Sequence, residues 1–169
     1  SSVMPEGTAN AAHPPMSELQ VKDLFHLWND ALATLDSSKV AARYSKEGVL
    51  LPTVSDVPRT DSSSIEDYFD AFLKKKPQGT VLESNVIVGT NWCQDAGIYE
   101  FTMGADGSKV KARYTFIYVH EDNEWKIAHH HSSVMPESIL PSPMEKGDVR
   151  RLFDRWNGAL ATLDSSKVA

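Results

Sequence analysis

The chain has 169 residues, of which 41% are hydrophobic and 24% are charged, with a formal net charge of −6 and an isoelectric point near 5.5. This composition is normal for a globular protein with an apolar core. The acidic balance argues against nucleic acid or an anionic membrane surface as the main partner, because both select basic patches. The single cysteine, Cys93, excludes an intrachain disulfide and a cysteine zinc cluster. No apolar run approaches the roughly 18 residues that a membrane span needs.

The first half of the chain carries helix signals around one short strand. Ser17 and Gln20 have the spacing of a capping box, and Asp36 is a good N-cap for a second, short helix. The serines at 62–64 are expected to cap a third helix. The predicted elements are helices over residues 17–35, 36–44 and 65–75 and a buried strand over 48–53.

The second half of the chain has the alternating pattern of β-strands separated by turn residues. The predicted strands cover residues 81–88, 92–102, 109–119 and 125–132. Helices followed by a long antiparallel meander predict an α+β fold, in which the helices pack on one face of a curved sheet. Such a sheet rolls into a cone, and the interior of the cone, capped by the third helix, forms a pocket.

Two segments of the sequence are repeated in the same order. Residues 1–6 (SSVMPE) recur at 132–137, and residues 21–41 recur at 149–169 with 16 of 21 positions identical. A period of about 130 residues is the size of a whole domain. We therefore predict three segments: residues 1–14 as the tail of a preceding repeat, 15–137 as one complete domain, and 138–169 as a linker and the first helix of the next repeat.

Substitutions between the two copies of the helix distinguish its two faces. Leu24, Phe25 and Trp28 are retained at helical spacing, which predicts a buried face. The positions that differ between the two copies mark the solvent-facing side of the helix. His26 is one of these positions and is therefore expected at the surface. The apolar face of the second copy carries Leu152, Phe153 and Trp156 among others, and we expect it to pack on the same chain or on a neighbouring molecule.

The order of elements resembles the cone-shaped fold shared by nuclear transport factor 2, the SnoaL-like polyketide cyclases and the association domain of calcium/calmodulin-dependent kinase. Residues 125–133 (WKIAHHHSS) look like the last strand of that superfamily. Two longer strings, 50–55 (LLPTVS) with 58–60 (PRT), and 129–137 (HHHSSVMPE), resemble the iota-class carbonic anhydrases of algae and bacteria. This resemblance implies a lyase that interconverts carbon dioxide and bicarbonate. It also implies tandem copies of the domain, and a chloroplast location follows from its algal members.

The candidate site is built on the last strand. If His130 faces the inside of the cone, Ser132 does too, because side chains alternate along a strand. Thr53 and Tyr68 can converge from the opposite wall, and the resemblance points to a catalytic set of this kind: Thr53, Tyr68, His130 and Ser132. Tyr114 and Phe116 are expected to supply an apolar, substrate-binding wall. A neutral His130 with a reference pKa near 6.5 would act as general base, and the hydroxyls would orient water and hold the anion, with modest turnover.

The three adjacent histidines suggest a metal, but strand geometry places His129 and His131 on one face and His130 on the other. One strand cannot close all three on a single ion, so no metal ligands are assigned. The resemblance leaves both options open, because some family members are described as metal-free and others as using manganese. No cofactor is therefore expected, with manganese or zinc as the alternative.

Two other functions fit the same fold. One is an association module with a non-catalytic cone, and a homodimer is expected in either case, with Trp92, Tyr99 and Phe101 as candidate interface residues. The other is a SnoaL-like isomerase or cyclase with an acidic base inside the cone. The acidic candidates for that base are Glu83, Asp95 and Glu100, whose register the sequence does not fix.

Overall fold

The computed structural model describes residues 14–136 and 146–165, and the chain divides into two compact units, Ser1–Val134 and Met135–Ala169. The elements of the first unit are α1 (Glu18–Ala33), α2 (Ser37–Ala41), β1 (Tyr44–Leu51), α3 (Ser62–Phe72), a 3₁₀ turn (Leu73–Lys75), β2 (Pro77–Val88), β3 (Trp92–Met103), β4 (Lys109–Glu121) and β5 (Glu124–Val134). The second unit contains α4 (Lys146–Ser165). Residues 1–13 of the predicted leading tail, and the predicted linker before α4, lie outside the described residues.

The strands of the first unit form one five-stranded sheet in the order β1-β5-β4-β3-β2. β1 runs parallel to β5, and each of the other neighbouring pairs is antiparallel. The sheet is curved and unclosed, and the helices of this unit pack on one of its faces, called here the inner face. The predicted α+β class, with helices on one face of a curved sheet, is confirmed.

Gly97 allows a close approach between β2 and β3. A Cβ atom at this position would lie 1.9 Å from the carbonyl oxygen of Glu83. The pairing of β2 with β3 is irregular between Val81 and Glu83, beside this glycine. A bulge of this kind increases the local twist of a sheet, and glycine is the residue that tolerates so close a backbone contact.

α1 covers the inner face with the residues that the repeat comparison predicted. Ser17 and Gln20 form the predicted capping box. Leu24, Phe25 and Trp28 are buried, and His26 is exposed as expected. Burial of these three large side chains stabilises the helix against the sheet by roughly 1.5–3 kcal/mol each.

Several element boundaries differ from the prediction. β1 begins at Tyr44, four residues before the predicted start, and the N-cap of α3 is Asp61, which precedes the serines. β2 begins at Pro77, where proline is tolerated because the first residue of a strand need not donate a hydrogen bond. Lys76 adopts a left-handed conformation (φ 51°) that turns the chain into this strand.

A register irregularity in β5 sets which of its side chains face inward. Tyr118 pairs with Ile127, whereas Ile117 pairs with His129, so Ala128 is an extra residue in the ladder. Ile127 and His130 are both buried, although they are three residues apart. The bulge resets the alternation so that His130 and Ser132 face inward, while His129 and His131 lie on the outer face of the sheet.

The outer face of the sheet carries partly exposed apolar side chains in neighbouring strands: Val49, Leu51, Ile87, Ile98 and Ile117. Two of the predicted interface residues do not belong to it. Tyr99 and Phe101 are buried on the inner face, because every second residue of β3, starting with Cys93 and Asp95, faces inward. Placing them at an interface was therefore wrong, and Trp92, which is 42% exposed, is the one that remains accessible.

α4 repeats the sequence of α1 in a different environment. Its Leu152, Phe153 and Trp156 are 55%, 60% and 61% exposed, whereas Leu24, Phe25 and Trp28 of α1 are at most 6% exposed. Across the described ranges, 14–136 and 146–165, there is no helix whose length and hydropathy would let it cross a bilayer.

Candidate functional site

A small cavity lies between the helices and the inner face of the sheet. Its volume is about 20 Å³, which is room for about one water-sized molecule. The lining is mostly apolar and aromatic, with hydroxyl and imidazole groups on one side. The lining residues are Trp28, Leu50, Pro52, Thr53, Tyr68, Phe69, Phe72, Tyr99, Phe101, His130 and Ser132.

The polar side of this cavity is one connected hydrogen-bond network. The hydroxyl of Thr53, just after β1, is hydrogen-bonded to that of Ser132 on β5. Ser132 Oγ accepts a hydrogen bond of 2.6 Å from the Tyr99 hydroxyl, which lies 3.2 Å from His130 Nε2. The other ring nitrogen, His130 Nδ1, lies 2.9 Å from the hydroxyl of Tyr44. Five side chains from three strands and one loop therefore share a single network.

The direction of the Tyr99 bond determines the tautomer of the histidine. The Tyr99 hydroxyl has one hydrogen, which it donates to Ser132, so its oxygen accepts from His130 Nε2. Nδ1 is then the unprotonated nitrogen and accepts from Tyr44. Burial raises the pKa of both Tyr44 and Tyr99 above 10, so both phenols stay protonated and remain donors.

The environment of His130 keeps its imidazole neutral. The ring stacks on Phe116 at 4.0 Å and meets Trp28 edge-on at 5.2 Å. Burial, with smaller contributions from His129 and His131, lowers the pKa of His130 from 6.5 to about 3. At neutral pH this histidine is therefore a hydrogen-bonding group and a weaker base than its reference pKa suggests.

All four predicted catalytic residues line the cavity, but they do not all join the network. Thr53, His130 and Ser132 are linked as described, whereas Tyr68 faces them from α3, stacked on Phe72. Burial raises the pKa of Tyr68 to about 12, against the opposing effect of the positive charge of Arg59. Tyr68 is therefore a neutral phenol in the wall opposite the network.

Two residues of the network were not predicted. Tyr99 bridges His130 and Ser132, and Tyr44 holds the second imidazole nitrogen. Tyr99 and Phe101 are two residues apart on one strand, which indicates that their side chains share a face. The sequence did not show that this face is the inner one. Tyr44 was assigned to the end of a helix, so its place at the start of β1 was missed.

The two predicted wall residues lie behind the cavity and do not line it. Phe116 stacks on His130. Tyr114 stacks on Tyr99 at 4.7 Å and donates a hydrogen bond to Asp95. Both are buried on the inner face, where they hold the network residues in position. Direct contact of either one with a substrate stays a prediction.

The three acidic candidates for a base inside the cone occupy different places. Asp95 is 1% exposed on the inner face and accepts hydrogen bonds from Ser84 and Tyr114. It contributes to a separate cavity of about 430 Å³ beside α1. Glu100 lies on the outer face in an ion pair with Lys109 at 3.3 Å, and Glu83 is exposed. Only Asp95 is therefore placed in the interior.

The described part of the chain contains no group of three histidine, cysteine, aspartate or glutamate side chains close enough to bind one metal ion. The consecutive histidines are divided by the sheet, with His130 inside and His129 and His131 outside. Their alternation is the arrangement expected for one strand.

The fold is similar to that of NTF2-like proteins and of proteins with a cystatin-like fold. A crystal structure of an NTF2-like protein from Pseudomonas putida, of unknown function, is similar with a TM-score of 0.60, 16% identity and coverage of 76% of this chain and 89% of that one. A protein of unknown function from Nostoc punctiforme has a TM-score of 0.62, 12% identity and coverage of 76% and 98%. These similarities show the fold alone.

The family is shown by the sequence. Residues 17–136 match the calcium/calmodulin-dependent protein kinase II association domain family, and the chain belongs to this family. A protein from Xanthomonas campestris, described as a candidate member of the same family, is 43% identical with a TM-score of 0.70. That match covers 80% of this chain and 99% of that one. No curated protein matches the chain.

Proposed function

We propose that this protein catalyses the reversible hydration of carbon dioxide to bicarbonate in the inner cavity. The observation that supports this proposal is the lining of the cavity. Its aromatic walls suit an apolar gas, and its polar side offers three hydroxyls at one place. At about 20 Å³ the cavity has room for about one water-sized molecule, so its walls must move apart for carbon dioxide to lie beside the reacting water. A ring-sized substrate, of the kind a cyclase or isomerase takes, needs several times this volume.

In this proposal the polar network positions the reacting water and the product. A water molecule beside Thr53 and Ser132 attacks the carbon of carbon dioxide. In the network described above Nε2 already carries a hydrogen, so the reaction starts from the reversed tautomer, in which Nδ1–H donates to Tyr44 and Nε2 accepts from Tyr99. One O–H bond of the water breaks as its oxygen bonds to carbon. The water proton passes to Ser132, the Ser132 proton to Tyr99 and the Tyr99 proton to His130 Nε2, which leaves an imidazolium. The hydroxyls of Thr53 and Tyr68 donate to the oxygen that becomes negative. The proton then passes to solvent or buffer.

The pKa of His130 sets the expected speed. Protonating a group with a pKa of about 3 at pH 7 costs about 5 kcal/mol. The negative charge of the nascent bicarbonate beside the imidazolium offsets part of this cost. A zinc-bound water has a pKa near 7 and avoids the problem, so we expect turnover well below that of zinc enzymes.

The test is stopped-flow measurement of carbon dioxide hydration with a pH indicator. The protein is first treated with a chelator, and its metal content is determined by elemental analysis. Ser132→Ala and Thr53→Val each remove one hydroxyl of the network and are expected to lower kcat by about tenfold to a hundredfold or more. Glu100→Gln, on the outer face, is the matched control and is expected to retain activity.

The outcomes separate the alternatives. Activity that survives chelation and falls in the two hydroxyl variants supports the proposal. Activity restored only by manganese or zinc would replace the proposed chemistry with a metal-dependent one. Absence of hydration in every condition would refute the proposal and leave a non-catalytic cone.

A second candidate function is association into a homodimer, and the apolar outer face of the sheet favours it. Val49 and Ile117 flank His129 on neighbouring strands, and Ile87 and Ile98 continue the apolar surface. The family is named for an association domain, which supports self-assembly through such a surface. Sedimentation of wild type and Ile117→Lys tests this: we expect a dimer for the former and a shift towards monomer for the latter. A monomeric wild type would contradict it.

A further inference from the structure

A second cavity lies outside the first and shares a wall with it. This outer cavity has a volume of about 280 Å³ and is lined by Ser55, Arg59, Asp67 and Lys75 together with Tyr68 and Phe72. Tyr68 and Phe72 also line the inner cavity, where they stack at 5.6 Å between ring centroids. The stacked pair therefore lies between the small inner cavity and a larger one whose lining includes charged side chains.

Arg59 is held firmly at this outer cavity. Its backbone N–H donates to the Leu50 carbonyl at 2.9 Å, and its carbonyl accepts from the Leu50 N–H at 2.8 Å. Leu50 is itself part of the wall of the inner cavity. The backbone pairing places the side chain without using its guanidinium, so that group is left available for another contact.

The guanidinium of Arg59 has an unmet hydrogen-bonding requirement. Its Nε is buried and has no hydrogen-bond partner among the described residues. A buried donor without a partner is unfavourable, since it has lost its hydration and gained nothing in return. Arginine presents a planar set of donors that fits the oxygens of a carboxylate-like anion. Arg59 lines the outer cavity, so the guanidinium donors that face the cavity are placed to bind such an anion.

The charges around the outer cavity favour an anion. Arg59 and Lys75 contribute two positive charges and Asp67 one negative charge. Asp67 and Lys75 are both exposed, so their charges are screened by solvent, whereas Arg59 is half-buried and acts at short range. The positive charge of Arg59 also reaches Tyr68, since it opposes the rise in the pKa of that phenol.

We propose that the outer cavity is a binding site for a small monovalent oxyanion of the carboxylate class, held by Arg59 with support from Lys75. The choice of bicarbonate as the natural ligand rests on the proposed hydration reaction, because a bicarbonate that leaves the inner cavity past Tyr68 and Phe72 enters this site. The anion-binding chemistry itself rests only on Arg59 and its surroundings.

The test measures anion binding to the full chain at pH 8 by ¹³C NMR, with line broadening of labelled bicarbonate and, separately, of labelled formate. Formate shares the planar carboxylate but takes no part in hydration. Arg59→Met keeps an unbranched apolar stem and removes the charge, and Lys75→Met removes the second cation. Lys74→Met, an adjacent exposed lysine outside the cavity lining, is the matched control.

We expect Arg59→Met to weaken binding of both anions by at least about tenfold, since a charge-assisted hydrogen bond is lost. Lys75→Met is expected to weaken it a few-fold, and Lys74→Met to leave it unchanged. Thermal unfolding checks that each variant is folded. If Arg59→Met does not fold, Arg59→Lys replaces it; this variant keeps the charge but loses the planar fork, and it is expected to bind more weakly than wild type.

Equal binding by wild type and the Arg59 variant would overturn the proposal, as would the absence of binding in wild type. Hydration activity measured on the same samples separates this result from the proposed function. Formate binding that depends on Arg59, in a protein without hydration activity, refutes hydration and leaves the anion site intact. Hydration activity without Arg59-dependent binding refutes the anion site alone.

Discussion

Burial of a neutral histidine makes the stability of this fold depend on pH. In the folded chain the pKa of His130 is lowered from 6.5 to about 3, chiefly by burial. Below pH 6.5 the unfolded chain binds a proton at this residue that the folded chain does not bind. The folded state therefore loses stability as the pH falls from 6.5 towards 3.

The size of this loss of stability follows from the shift in the pKa of His130 between the unfolded and the folded chain. In the window between the two pKa values, one proton of difference changes the free energy of unfolding by about 1.4 kcal/mol per pH unit. Between pH 7 and pH 5 the loss attributable to His130 is about 2 kcal/mol. For a domain with a total stability of roughly 5–15 kcal/mol this is easily measured.

The assay is urea unfolding at pH 7 and pH 5, followed by tryptophan fluorescence, on wild type, His130→Gln and His26→Gln. His130→Gln removes the buried titrating group and should lose less stability on acidification than wild type, by about 2 kcal/mol. His26 is exposed on α1, so its variant should behave as wild type. The partly buried His129 titrates in all three proteins and cancels in the comparison. An equal pH response in wild type and His130→Gln would refute the reasoning.

Three further predictions concern the scaffold. Gly97→Ala should cost several kcal/mol in urea unfolding or prevent folding, because the added Cβ would lie 1.9 Å from the Glu83 carbonyl oxygen. Asp61→Ala removes the cap of α3 that accepts from the Ser64 N–H at 2.8 Å, and it should lower stability by about 1 kcal/mol in the same assay, with Asp56→Ala unchanged as control. Cys93 should react with a thiol reagent only as fast as the protein unfolds, because burial raises its pKa to about 12; rapid reaction of the native protein would contradict this.

The fold could be predicted from the sequence because the signals for individual helices and strands agree with the fold that their order along the chain indicates. The capping box of Ser17 and Gln20, the apolar stripe of α1 and the alternation along β3 and β4 each indicate one element. Their order leaves few topologies, and placing the helices on one face of a curved sheet buries the apolar faces of α1 and α3. Boundaries such as the start of β1 depend on pairing with a strand distant in the sequence, and local signals do not contain that information.

The candidate site was predictable only in part, for a different reason. His130 and Ser132 were placed on one face by alternation along the last strand, whereas Thr53 and Tyr68 were assigned from the resemblance to the iota-class carbonic anhydrases. Tyr99 was assigned to the wrong face, since strand alternation defines two faces without saying which one is inside. The bulge at Ala128, which brings Ile127 and His130 to the same side, leaves no clear sequence signal.

Because α4 repeats the sequence of α1, a comparison of the two helices can test whether the apolar face of α1 alone determines how this helix packs. α1 and α4 share their apolar positions, although Leu24, Phe25 and Trp28 are buried and the equivalent residues of α4 are exposed. Helical structure is thus kept in both settings, whereas burial depends on the surroundings. If the apolar face alone determines the packing, the polar face of α4 can be transferred to α1 at little cost.

The transfer is made with five substitutions: Lys22→Arg, Asp23→Arg, His26→Asp, Leu27→Arg and Asp30→Gly. Four of these positions are exposed, and Lys22 is partly exposed with an ion pair to Glu18 that arginine can keep. We expect a loss of about 1–2 kcal/mol in urea unfolding, mostly from glycine within the helix. Asp30→Gly alone is the control and should account for about 1 kcal/mol. A loss of much more than this, or a chain that does not fold, would show that the polar face of α1 also contributes to its packing.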